Sequence, residues 1–238
     1  MRTFPLLLFA AWYGAAWAQI PKIDPPPSLP NAQAVFLFDG AALPKDWKLM
    51  NPVENHWTMQ PKRKSLLIAT LKGTCVSSKD SRNFLVLDRP LPTDDFEVAL
   101  HASALFQTHG GQIALALWSD DANYFWLTFQ GDSYLGSVQL RSYFQKVFNG
   151  QVTGSFSQNI AGGNEVYLRI ARDGNEFSGY FAVADPSKPL DPAKIPWVQL
   201  GTLPGIKFAG KLALCAVNFE DGAPEVGAEF YSVTLRPK

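Results

Sequence analysis

Alternation of apolar and polar residues, broken at short intervals by turn residues, constrains this chain more than any other feature. From Asp95 through Phe129 the pattern reads as strand, loop, strand, tight turn and strand. Phe96, Val98, Leu100 and Ala102 fall on one side, then Ile113, Leu115 and Leu117, then Phe125, Leu127 and Phe129. Successive side chains of an extended chain point to opposite faces, so each run has one buried and one outward face. The run VYLRIARDGNEFSGY (Val166 to Tyr180) repeats this grammar around Asp173-Gly174-Asn175, a strong hairpin signal. Short strands also read at Ala34 to Phe38, Ser65 to Leu71, Asn83 to Leu87, Val138 to Tyr143, Trp197 to Leu200 and the segment around Cys215. Helical periodicity is nearly absent. The spacing predicts an all-β fold of two antiparallel sheets packed face to face, a β-sandwich.

The chain opens with Arg2, an apolar run from Phe4 to Trp17, and the small-x-small site Ala16-Trp17-Ala18, which together read as a signal peptide over residues 1–18. The run is shorter than the roughly 20 residues of a spanning helix, and Pro21 and Pro25 follow at once. The mature protein is then expected outside the cytoplasm, secreted or periplasmic, and not membrane-embedded. Residues 19–33 form a proline-rich leader, and one β-sandwich domain is expected over 34–238. The stretch DPSKPLDPAKIP (Asp185 to Pro196) holds too many prolines for a central strand and reads as a surface excursion.

Acidic and basic residues balance to a formal net charge of zero and are mixed along the chain. No basic stripe is available to track a phosphate backbone, so nucleic acid is not an expected partner. The two cysteines, Cys75 and Cys215, are either one disulfide, as an oxidising compartment favours, or two separate buried thiols. His56, His101 and His109 show no metal-ligand spacing, and no cofactor is expected.

Several of these segments are familiar in their order. Asn83-Phe84-Leu85, Asp95-Phe96-Glu97-Val98, the run Gly111 to Leu115, Asp120-Asp121-x-Asn123-Tyr124 and the run Val166 to Asn175 resemble the concanavalin A-like lectin/glucanase superfamily. They are similar above all to the β-sandwich module at the C-terminus of β-xylosidases. Phe38-Asp39-Gly40 with Trp47 resembles the start of the keto-disaccharide hydrolase branch. The resemblance runs from about Ala34 to the end and implies a jelly roll, with carbohydrate as its expected partner. Its motifs are turn and core positions, specific for fold and weak for activity. The glucanase signature Glu-x-Asp-x-Glu is absent, since no Glu is followed two residues on by Asp.

The outward faces supply the candidate site. Gln112, Trp118, Tyr124, Trp126, Gln139, Arg141, Tyr143, Arg169 and Tyr180 combine rings with amide and guanidinium groups, a set suited to a sugar that stacks its C–H face and hydrogen-bonds its hydroxyls. Structural aromatics are the plainer alternative. Glu97 and His101 share one strand face and are the candidate acid/base pair, against the reading of a solvated polar face. Asp120, Asp121 and Asn123 are candidate oxygen ligands for the calcium that the resemblance allows, and equally the residues a hairpin turn prefers. Three readings of function follow: a non-catalytic carbohydrate-binding sandwich, a glycosidic-bond-cleaving hydrolase of the keto-disaccharide type with Glu97 or an Asp of the face as acid/base, and a structural or protein-interaction module.

Overall fold

The computed structural model describes residues 34–134, 137–184, 194–205 and 208–238. The expected signal peptide, the leader and most of the proline-rich excursion lie outside the described residues. In chain order the strands are β1 (Ala34–Leu37), β2 (Trp47–Met50), β3 (Trp57–Gln60), β4 (Ser65–Ala69), β5 (Leu71–Lys72) and β6 (Phe84–Pro90). There follow β7 (Phe96–Ala104), β8 (Gly111–Asp120), β9 (Asn123–Tyr134), β10 (Ser137–Phe148) and β11 (Gln151–Ile160). The chain closes with β12 (Glu165–Asp173), β13 (Glu176–Val183), β14 (Val198–Pro204), β15 (Lys211–Asn218) and β16 (Gly227–Pro237). No helix among the described residues is long and apolar enough to cross a membrane.

The strands form two sheets. One runs β11-β10-β9-β8-β15-β6-β2 with β5 added on β15, the other β14-β13-β12-β7-β16-β4-β3 with β1 added on β16. All pairings are antiparallel except the short β5–β15 contact. The all-β sandwich expected from the alternation is therefore the fold. Its core lies between the sheets, where the predicted inward residues of β7 and β12 meet those of β8 and β9, all of them buried. Burying each such Leu, Ile or Phe contributes roughly 1.5–3 kcal/mol. Phe125 of β9 stacks on Phe177 of β13 at 4.3 Å between centroids, joining the sheets across the core.

Local chemistry sets the hairpins. Gly174, at φ +57°, opens the two-residue turn between β12 and β13. Asn149 and Gly150 are both left-handed (φ +51° and +75°), so the β10–β11 connection is the Asn-Gly turn whose twist matches paired strands. This turn introduces β11, an edge strand that alternation does not announce, since QVTGSFSQNI lacks an apolar period. The run Ser65 to Leu71, expected as one strand, is a corner instead: β4 pairs with β16 in one sheet and β5 with β15 in the other. Buried Thr70 makes the crossing, donating its N–H to Val226 O at 2.8 Å and accepting Val226 N–H on Oγ1 at 2.8 Å.

Candidate functional site

The outward face of β8, β9 and β10 carries a groove of about 380 Å³ lined by Thr74, Cys75, Gln112, Tyr124, Trp126, Gln130, Tyr143, Gln145 and Phe219. Antiparallel register sets out its floor in rows. Ala116, Trp126 and Gln145 stand side by side, as do Ala114, Thr128 and Tyr143, and then Gln112, Gln130 and Arg141. Ser155, Ser157 and Asn159 of β11 continue these three rows toward the sheet edge. Gln112 Nε2 donates to Gln130 Oε1 at 2.9 Å, and Gln145 Nε2 donates to Ser155 Oγ at 2.9 Å, so the amides are oriented. Tyr124 meets Trp126 edge to face at 6.0 Å.

One side of the groove is a wall made by residues 73–83. Ala114 and Ala116 leave room for Cys75 and Val76 to lie on β8, completing a second apolar cluster outside the main core. Cys75 and Cys215 form a disulfide, which pins the wall to β15. Ser78 anchors the far end: its N–H and Oγ donate to Asp121 at 2.8 and 2.7 Å. Burial works against ionisation of Asp121, but these bonds outweigh it and hold its carboxyl below the usual range. Inside the wall, Asn51 donates to the carbonyls of Ser78 and Ser81.

A charged cluster closes one end. Asp132, at the end of the β9 row, accepts from Tyr143 Oη at 2.6 Å and Arg141 Nη1 at 3.2 Å. His109 bridges the cluster, with Nδ1 3.5 Å from Asp132 and Nε2 2.9 Å from Glu220, and its ring meets Phe219 edge to face at 5.1 Å. Desolvation alone would raise the Asp132 carboxyl, yet the bonds from Tyr143 and Ser133 and the charges of Arg141 and His109 hold it low. Burial, followed by the bond to Asp132, raises the Tyr143 phenol, so it stays a neutral donor.

The structure divides the residues singled out by sequence. Tyr124, Trp126 and Tyr143 line the groove, as does Gln112. Arg141 holds Tyr143 from the side, and Gln139 sits opposite Asp132 in register. Trp118 packs edge-on against Phe84 at 5.5 Å in the apolar cluster with Cys75 and Val76, so it supports the wall and does not line the groove. Arg169 and Tyr180 lie on the outer face of the other sheet, away from the rest, because β12 and β13 belong to that sheet. There the Arg169 guanidinium stacks 4.1 Å from Tyr180 and 4.4 Å from Trp197, a packing unit in which burial lowers its pKa against the opposing charge of Glu97.

The acid/base pair expected from Glu97 and His101 does not form. Four residues along a strand separate them by about 13 Å, and each has other neighbours. Glu97 lies 3.6 Å from Arg169 and 3.8 Å from Arg236. His101 Nε2 is 2.6 Å from Glu165, and its ring stacks on Tyr167 at 4.2 Å. Burial lowers the His101 pKa despite Glu165, favouring the neutral ring. The calcium candidates do not fit a cation either. Asp120 accepts from Ala122 N and Asn123 Nδ2, Asp121 from Ser78, and Asn123 Oδ1 from Asn149 N, so their oxygens face three different sets of donors. No group of three or more metal-ligating side chains occurs among the described residues.

Sequence reading missed Gln130, Asp132 and Gln145, although each continues an alternation already recognised, from Tyr124 and from Gln139. Thr74, His109, Phe219 and Glu220 come from connections between strands, where no period marks them.

No family model matches the chain, and no curated protein matches it significantly. Solved structures do. "Bacteroides ovatus Xyloglucan PUL GH43B" superposes with a TM-score of 0.66 at 16% identity, over 86% of this chain and 39% of that one. A xylan β-1,4-xylosidase from Bacillus halodurans gives 0.64 at 13% identity, over 89% of this chain and 40% of that one. A prokaryotic β-1,3-1,4-glucanase (lichenase) from a mouse hindgut metagenome gives 0.58 at 10% identity, over 86% of this chain and 99% of that one. The chain thus spans about two fifths of the first two proteins. Sheet order, core and these superpositions agree that the chain has the two-sheet jelly roll of the concanavalin A-like fold.

Proposed function

We propose that this is a secreted carbohydrate-binding protein that holds a glycan in the groove over β8, β9 and β10 without cleaving it. The observation that carries the reading is the lining itself: Tyr124, Trp126 and Tyr143 beside the amides Gln112, Gln130 and Gln145. Rings receive the apolar face of a sugar, and oriented amides exchange hydrogen bonds with its hydroxyls. The structures that share this fold include proteins named for xyloglucan, xylan and β-glucan, which supports carbohydrate as the ligand class. Secretion is proposed from the signal-like residues 1–18 and agrees with a disulfide, which persists in oxidising compartments.

Binding is favoured over hydrolysis by the chemistry of the lining. Glycosidic cleavage generally uses two carboxylates flanking the scissile bond; the groove's floor offers none, and the two at its end, Asp132 and Glu220, are both held by His109, Asp132 also by Tyr143 and Arg141. The experiment is titration of the secreted protein with arabinoxylan, xyloglucan and mixed-linkage β-glucan, alongside a Trp126→Ala/Tyr143→Ala double variant. Saturable binding that weakens at least tenfold in the variant is expected. Equal affinity in both proteins rejects the groove as the site, and release of reducing sugar by the wild type rejects the non-catalytic reading.

A further inference from the structure

We infer that the groove receives the end of a glycan chain and not its interior, an assignment that rests on the binding function proposed above. The wall of residues 73–83 runs the length of β8. Gly73 N–H donates to Asn218 O at 3.0 Å at one extreme, and Ser78 bonds Asp121 at the other, with the disulfide between them. At the Gln112 end, His109 ties Asp132 of β9 to Glu220, and Phe219 N–H donates to Gly110 O at 2.9 Å. At the other end the Ser78–Asp121 bridge joins the wall to the β8–β9 turn behind Tyr124. The wall therefore bounds one long side, and its bridges bound the two ends.

The fourth side is open across β10 and β11. Beyond Tyr143 and Gln145 the surface drops to Ser155, Ser157 and Asn159, short polar side chains that are exposed. A chain whose last sugar sits on Trp126 leaves over these residues, across the strands, and has no second exit along them. The groove volume, about 380 Å³, is near the lower bound of small-ligand sites, which start at about 300 Å³. The charges nearest the groove, Asp132, Arg141 and Glu220, are engaged with one another, Tyr143 and His109, which leaves rings and amides to meet the terminal unit and suits an uncharged sugar.

The test uses the same three polysaccharides before and after limited endo-cleavage, which keeps composition and multiplies chain ends. If cleavage raises the number of ends tenfold, the midpoint in polysaccharide mass concentration is expected to fall about tenfold. A Ser157→Trp variant, placing a bulky ring on the exit path opposite Tyr143, is expected to weaken binding of hexasaccharides from the digest at least tenfold and to spare the disaccharide. A midpoint unchanged or raised by cleavage overturns chain-end recognition while leaving the binding function standing. Absence of binding to every polysaccharide, cut or uncut, overturns the binding function and this inference with it.

Discussion

Trp126 is the residue on which the groove turns, because strand alternation sends it outward while its neighbours Phe125 and Leu127 enter the core. Trp126→Ala removes the largest ring of the floor and one edge-to-face contact worth about 0.5–1.5 kcal/mol. Glycan affinity measured by calorimetry is expected to fall at least tenfold, with a melting temperature only slightly lower. Asp132 makes the residue-scale case for charge. Its carboxyl titrates below its usual value of 3.8 in the folded protein, so its ionised form stabilises the fold above that value. This contribution is lost as pH falls from about 4 through the lower folded pKa. The wild type is therefore expected to melt higher than Asp132→Asn at pH 6, with the gap closing below about pH 4 in thermal melts across that range. That Tyr124 and Trp126 share a face was legible once their strand was recognised, since period two is a local property, whereas Tyr143 joins them only through the pairing of β10 with β9. That Arg169 and Tyr180 do not share it was illegible, because their outward direction is the same and only the sheet differs.

Two elements make the groove out of a flat sheet. The first is the wall held by Cys75 and Cys215, which are 140 residues apart in sequence. By the chain-entropy argument a crosslink closing a loop of that length contributes about 5 kcal/mol. A Cys75→Ser/Cys215→Ser protein is expected to lose several kcal/mol in urea denaturation and to bind glycan more weakly, since the wall is freed from β15. Unchanged affinity in the folded double variant would separate the wall from the site. The second element is β11, whose register depends on the Asn149-Gly150 turn. A Cβ on Gly150 would meet nothing within 4 Å, so Gly150→Ala tests conformation alone. At φ +75°, the substitution is expected to cost about 1–2 kcal/mol by the same denaturation measurement. The Asn-Gly pair is the signal that could have announced β11, while its missing apolar period reflects an edge strand whose side chains are largely exposed.

Across the whole molecule, one apolar core draws residues from both sheets, from Phe38 near the start to Leu235 near the end. Continuity of that core predicts a single cooperative transition, checked by agreement of calorimetric and van't Hoff enthalpies. The turn carboxylates face backbone and side-chain donors, so chelator is expected to leave both the melting temperature and glycan titration unchanged.

The amino-acid sequence by itself determined the strand faces, the main hairpin and the all-β class, because alternation and turn chemistry act between near neighbours. Tertiary structure decided which outward faces became one surface, that Ser65 to Leu71 crosses between sheets, and where Cys75 meets Cys215. It also brought Thr74, His109 and Phe219 to the groove from separate connections. Those outcomes depend on pairing between segments far apart in the chain, and no local period encodes a distant partner.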